Sequence, residues 1–227
     1  MFQMNKDQFR SSQINSAIQL VTAIAIVAAL CGCQSTYYSV WEKLGKHKRD
    51  LLRDYVQDAS KEQQKAKVEF KDALTRLKEI TGFDGGKLEE AYRAVEKDYE
   101  RCNDRAASIR SRIKDIEDVS AALFKEWEQE IATYSSDTLR SSSKSKLRET
   151  RQRYDSLHTA LQKSSDSMTP ILARLKDQAL FLKHNLNAQA IGALKGEVVS
   201  IEGDIQKLIA EMNTSISRAD EFINGLQ

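Results

Sequence analysis

Histidine and cysteine, the side chains with the most versatile chemistry, are few and scattered in this chain. His47, His158 and His184 lie far apart in the sequence, without the local spacing of a zinc or iron site, which predicts solvated or packed imidazoles. Cys102 falls on an apolar repeat, which indicates a small buried side chain rather than a reactive thiol. Asp84-Gly85-Gly86 lacks the following Lys-Ser/Thr of a phosphate-binding loop, and none of the serines sits in a nucleophile elbow. We therefore expect a non-enzymatic protein without a metal site or a cofactor.

A cysteine near the N terminus stands in a setting that predicts covalent modification. Lys6 and Arg10 precede an apolar run over residues 17–30, which is too short to span a bilayer comfortably. The run leads into Leu30-Cys31-Gly32-Cys33, which resembles the lipobox of bacterial lipoproteins. In that motif small residues admit the signal peptidase, and the thiol carries a diacylglyceryl group. We expect residues 1–32 to be a signal peptide and Cys33 to be the lipidated first residue of the mature chain. An uncleaved inner-membrane anchor is the alternative.

The residues that follow Cys33 indicate where this anchor would lie. Gln34 replaces the aspartate that retains enteric-type lipoproteins in the inner membrane, which favours the outer membrane and its periplasmic face. Two or three acyl chains, palmitate among them, would hold the protein firmly, whereas one chain binds only marginally. Tyr37, Tyr38 and Trp41 come next, and such amphipathic aromatics suit a membrane interface. Ordinary packing at the base of the helical domain explains them equally well.

Charge and the remaining cysteine exclude further classes of function. The whole chain carries a net charge of +2, and removal of Lys6, Arg10 and Asp7 with the signal peptide leaves +1. This balance offers no electrostatic footprint for nucleic acid. Of three cysteines, one is removed and one is lipidated, so Cys102 has no partner for an intramolecular disulfide.

Long helices must position these residues. Apolar residues recur at alternating spacings of three and four, which is the heptad pattern of packed helices, and charged residues fill the other positions. The chain contains a single proline, Pro170. Four such seams run through residues 52–80, 88–134, 147–182 and 191–223.

The breaks between the seams divide the predicted helices. Residues 82–86 contain glycines and an aspartate, which predicts the tip of a helical hairpin. Serine-rich stretches near residues 135–146 and 164–170 offer helix caps, the second with a proline suited to a first helical turn. We expect one all-α domain over residues 33–227, an elongated antiparallel coiled coil or helical bundle of three to four long helices.

The segment from Leu180 to Ala188 has the most unusual local composition. Asn185 and Asn187 are poor helix formers inside a periodic stretch, beside His184. These three residues are candidates for contact with a partner; a register-setting polar layer or a helix terminus would also explain them.

Four strings in the chain are similar to a known family. They are His47-Lys48-Arg49-Asp50, Phe83-Asp84-Gly85-Gly86, Leu123 to Glu128 and Phe181 to Ala188. Together they resemble the uncharacterised family of helical bacterial lipoproteins catalogued as domain-of-unknown-function family 2959. The resemblance covers residues 33–227 and implies an exported, coiled-coil-rich protein; it implies no activity and no catalytic residues.

These patterns together predict a helical scaffold or interaction protein at the membrane. We expect it to bind a protein partner, or a second copy of itself, through its coiled-coil seams. The alternative is a periplasmic binding module that holds a lipid or another apolar ligand.

Overall fold

A computed structural model describes residues 47–82, 88–185 and 188–226 of the chain. The described residues form four α-helices: α1 (Lys48–Ile80), α2 (Leu88–Thr133), α3 (Asp137–His184) and α4 (Ala188–Gly225). At 1.5 Å per residue, α2 and α3 are each about 70 Å long. The all-α bundle predicted from the sequence is confirmed. None of these described helices has an apolar run long enough to cross a membrane.

Neighbouring helices run antiparallel, as the ion pairs and hydrogen bonds between them show. From α1 to α2, Arg76 pairs with Asp98 at 3.4 Å and Glu62 pairs with Arg105 at 3.0 Å, so lower numbers on one helix meet higher numbers on the other. The same rule holds between α2 and α3, where Trp127 meets Ser143 and Glu117 meets His158. It also holds for the two pairs that include α4, which contact through Arg153–Gly225 and Arg174–Asp204 with α3 and through Lys67–Asn213 and Lys78–Glu202 with α1. The connectivity is therefore that of an up-down-up-down four-helix bundle.

The heptad seams form the core of this bundle. Most of their apolar residues are buried, and all four helices contribute to this buried set. The largest buried side chains include Phe70, Ile109, Leu161 and Phe222, one from each helix. Burial of such side chains stabilises a fold by about 1.5–3 kcal/mol each, which makes these seams the main source of stability.

A break was predicted near residues 135–146, and the structure has it only at the start of that interval. Helix α2 ends at Thr133, and α3 begins at Asp137, so residues 137–146 are already helical. Ser136 caps α3, because its Oγ accepts a hydrogen bond from the backbone N–H of Leu139 at 3.4 Å. The sequence thus indicated the right cap but too long a break.

The predicted break near residues 164–170 is wrong. Helix α3 continues through it, with Pro170 exposed in its interior. Ser164 is buried because its hydroxyl accepts a hydrogen bond from Gln63 Nε2 at 2.9 Å, across to α1. Ser215 of α4 donates to Gln63 Oε1 and completes a buried polar layer across three helices. Ser164, which resembles a helix cap in the sequence, is an interior hydrogen-bond partner of a glutamine.

Helix α1 ends next to the predicted hairpin tip, whereas the boundary between His184 of α3 and Ala188 of α4 was not among the predicted breaks. Helix α1 ends at Ile80, and Gly82 lies in a turn whose N–H donates to the Glu79 carbonyl at 3.0 Å. Residues 83–87 of the predicted hairpin tip at 82–86 lie outside the described part of the chain. The last seam belongs to one helix, α4, which continues past Gly192 and Gly196.

Candidate binding cleft between helices α3 and α4

The predicted site residues fall into two groups. Cys33, Tyr37, Tyr38, Trp41 and Asn187 lie outside the described residues. The remaining two, His184 and Asn185, stand at the end of α3.

His184 is the exposed last residue of α3, and Asn185 is its C-cap. The Asn185 side-chain Nδ2 donates to the Phe181 carbonyl at 2.9 Å, and its backbone N–H donates to the Leu182 carbonyl at 3.3 Å. Asn185 therefore satisfies carbonyls that the helix end leaves without partners. Of the alternatives considered for this residue, helix termination is what the structure shows.

Along the last three turns of α3, this helix and α4 border an open cleft of about 460 Å³. Helix α3 contributes Arg174, Asp177, Gln178 and Phe181, and α4 contributes Ala193, Leu194 and Glu197. Gln178 and Leu194 are buried, while Phe181 keeps 37% of its surface exposed. A volume of this size falls within the range of about 300–1,000 Å³ that is typical of small-ligand pockets.

Gln178 is the unusual member of this lining. The residue is only 5% exposed, and within the described structure neither Oε1 nor Nε2 of its side chain has a hydrogen-bond partner. A buried polar group without a partner costs about 1–3 kcal/mol. Gln63, the other buried glutamine in these helices, has both amide atoms satisfied. The Gln178 amide therefore holds unused hydrogen-bonding capacity at the cleft.

The charges around the cleft leave it slightly acidic. Arg174 bridges the two helices, with Nη1 2.6 Å from Asp204 Oδ2 and Nη2 3.1 Å from Glu197 Oε2. Its positive charge is therefore shared between two carboxylates. Asp177 adds a further exposed carboxylate, so the lining residues carry one positive and two negative charges. A cationic or neutral ligand suits this surface better than an anion does.

Beside the cleft, α4 presents a second periodic stripe that faces outward. We call it the outer face of α4: Gly192, Gly196, Val199, Gly203, Gln206 and Ala210. All six residues are exposed and uncharged, and their spacings alternate four and three like those of a heptad seam. Around the positions where a Cβ would stand on the three glycines, no described atom lies within 4 Å. Packing inside the described bundle therefore does not require glycine at these positions.

The titratable groups elsewhere in the described bundle have structural explanations. Burial raises the pKa of the Cys102 thiol to about 12, with a smaller contribution from Glu69 and Asp98. A hydrogen bond from His158 holds the pKa of Glu117 below its usual range. Among the described residues, no group of three or more His, Cys, Asp or Glu side chains is placed to hold a metal ion.

Comparison with known proteins identifies a family for this chain. The family model described as protein of unknown function (DUF2959) matches residues 37–226. The chain belongs to this family. No curated protein and no solved structure matches the chain. The DUF2959 match spans all four helices, and so it includes the cleft and the outer face of α4.

Sequence reasoning on this DUF2959 chain missed the cleft, although two signals pointed to it. The third apolar seam passes from Leu175 to Leu182 and skips the turn that Gln178 occupies. On α4, next in sequence to the lining residues Ala193 and Glu197, Gly192 and Gly196 interrupt the helix-favouring composition. Neither signal alone distinguishes a cleft from a loosely packed helix pair, because the facing residues become known only once the helices are paired.

Proposed function

We propose that this DUF2959 protein is a lipid-anchored interaction protein of the outer membrane, facing the periplasm and without enzymatic activity. The anchor is the acylated Cys33, after removal of residues 1–32. The support for this address is the sequence of the N terminus, where a basic start, a short apolar run and Leu30-Cys31-Gly32-Cys33 follow in order. The helical domain then presents a binding surface, and tethering raises the effective concentration of a partner in the same membrane.

The heptad seams are unsuitable as the surface for a partner. Ile113 and Ile116, central residues of the second seam, are buried among the chain's own helices. A partner helix that used this seam would first have to open the bundle. An outward face of the described helices needs no such opening, and we therefore propose the binding surface there.

The outer face of α4 is the observation that carries this proposal. A glycine inside a helix costs about 1 kcal/mol relative to alanine, and this face contains three of them without an internal packing reason. Glycine allows another backbone to approach closely. Val199, 74% exposed, adds an apolar contact at the centre of the stripe. These features suit the docking of an α-helix from a partner protein, packed along the heptad spacing.

Substitution of the glycines separates this role from simple stability. Gly196→Leu with Gly203→Leu fills open space and improves helix propensity, so we expect greater stability together with loss of the partner crosslinked in intact cells. Ser142→Leu, at an exposed position of α3, is the matched control and keeps the crosslink. An unchanged crosslink in the glycine variant refutes the proposed surface. A product of twice the mass of the chain identifies the partner helix as a second copy.

The lipid anchor has a separate test. Cys33→Ala leaves the protein without a site for acylation, so we expect its unprocessed precursor mass and its release from outer-membrane fractions. A Cys33→Ala protein that still separates with outer membranes contradicts the proposed anchor. Cys102→Ala is the matched control, because this second cysteine is buried far along the chain.

A binding module for a lipid or another apolar ligand is the second candidate, and the cleft between α3 and α4 is the observation that favours a ligand. Its lining includes the apolar Phe181 and Leu194 but also the Gln178 amide. Hydrocarbon cannot satisfy that amide, which disfavours an acyl chain as the occupant. Mass spectrometry of the purified protein tests the lipid directly, because a bound lipid copurifies.

A further inference from the structure

The cleft between α3 and α4 is lined by an amide, by apolar side chains and by carboxylates, and a ligand must complement all three. Gln178 supplies a hydrogen-bond donor and an acceptor, both without partners in the described structure. Phe181 and Leu194 supply apolar surface, and the carboxylates of Asp177 and Glu197 stand among the lining residues. We infer that this cleft binds a short extended peptide segment with an apolar and a basic side chain, whose backbone takes both hydrogen bonds of Gln178.

The carboxamide of Gln178 has the chemistry of a peptide group. Its Nε2 donates and its Oε1 accepts, and the two atoms lie side by side in one plane. An extended backbone offers the complementary pair, a carbonyl acceptor and an N–H donor. Both amide atoms are inaccessible to solvent in the described structure, so binding requires Gln178 to turn its side chain towards the cleft. Both of its unsatisfied atoms then gain partners in one step.

The charges of the lining select the side chains of the peptide. Arg174 is held by Glu197 and Asp204 and has little capacity left for an anionic ligand. The exposed Asp177 carboxylate favours a lysine or arginine on the peptide. Phe181 and Leu194 favour an aliphatic neighbour for that basic residue. The site lies beside the outer face of α4 but does not depend on the partner or on the anchor proposed above.

Two blocked dipeptides test the site in the full-length protein. N-acetyl-leucyl-lysine amide is the ligand probe, and an analogue in which an ester oxygen replaces the central N–H removes one donor at unchanged shape. With the protein labelled with ¹⁵N at glutamine, the side-chain amide resonances of Gln178 report contact directly. We expect the amide probe to shift these resonances, with affinity at least about tenfold higher than that of the ester, the effect of about 1.4 kcal/mol.

Variants separate recognition from packing. Gln178→Met keeps the side-chain volume and removes both hydrogen-bonding atoms, so we expect affinity to fall by about tenfold or more while the fold is retained. Gln152→Met, an exposed position of the same helix, binds like the wild type. Retained affinity in Gln178→Met, or Gln178 resonances that stay unchanged at saturating probe, overturns the inference. Equal affinity for N-acetyl-leucyl-glutamate amide overturns the charge selection.

Discussion

The geometry of the buried polar layer around Gln63 predicts that a carboxyl group at this position makes the unfolding free energy depend on pH. Gln63 is completely buried; its Nε2 donates to Ser164 Oγ at 2.9 Å, and its Oε1 accepts from Ser215. Gln63→Glu changes no heavy-atom positions but replaces the amide with a titratable carboxyl. The protonated carboxyl has one donor and one acceptor, like the arrangement it replaces. The ionised carboxylate has only acceptors, and it is charged within an apolar core.

The magnitude follows from the burial of this position. Buried carboxyls have pKa values raised by about 3–5 units, and each unit corresponds to about 1.4 kcal/mol. Both serine hydroxyls can turn to donate hydrogen bonds to the carboxylate. We therefore expect a pKa shift at the lower end of this range, about 3 units. We therefore expect Gln63→Glu to lose about 4 kcal/mol of unfolding free energy once the pH exceeds the folded-state pKa.

The sign of the pH dependence is fixed by the direction of the shift. Because the folded-state pKa lies above the unfolded value, the variant approaches wild-type stability below about pH 4 and loses stability as the pH rises through the folded pKa. Urea unfolding of wild type and variant at matched pH measures the difference. Gln63→Met is the control, since it removes the same hydrogen bonds without a charge and so gives a difference that does not change with pH. A constant difference between wild type and Gln63→Glu from acid to neutral pH would refute the reasoning.

Three further predictions concern single residues. Pro170→Ala restores a helix-interior N–H at an exposed position and should raise the unfolding free energy, measured by urea unfolding, by at most about 3 kcal/mol; an unchanged or lower value contradicts a destabilising effect of this proline. Glu117→Gln should lose about 0.5 kcal/mol of unfolding free energy at neutral pH. The loss is small because the Glu117 side chain, which pairs with His158, is more than a third exposed. Because the folded pKa of Glu117 is lowered, this loss shrinks as the pH falls from about 5 to about 3, and a loss that grows instead contradicts the cause. Cys102, buried and with its pKa raised to about 12, should react with a disulfide reagent only at the rate of global unfolding, and rapid labelling of the folded protein contradicts its burial.

Heptad periodicity made the helices and most of the core predictable from the sequence. A seam such as Ile109, Ile113 and Ile116 needs only its own spacing to show which face is buried. The continuity of α3 was not predictable in that way. Ser164 meets Gln63, 101 residues earlier in the chain, and a serine with a distant buried partner looks like a serine at a cap. The cleft was unpredictable for the same reason, because Gln178 is recognisable as a lining residue only once the facing turn of α4 is known.

Residues that follow the heptad spacing and residues that depart from it therefore have different structural roles. Where spacing and residue type agree, as along the four seams, the chain packs against itself, and a substitution such as Ile113→Asp would remove the fold together with any partner. Where a residue type opposes the helix, or where a buried polar group has no partner, local stability is lost. Gly192 and Gly196 on α4 and the unsatisfied Gln178 on α3 are such exceptions, and they lie close together at one end of one helix pair. Packing inside the described bundle does not account for these three residues, and the docking of a partner helix and of a ligand at this end is what we propose for them.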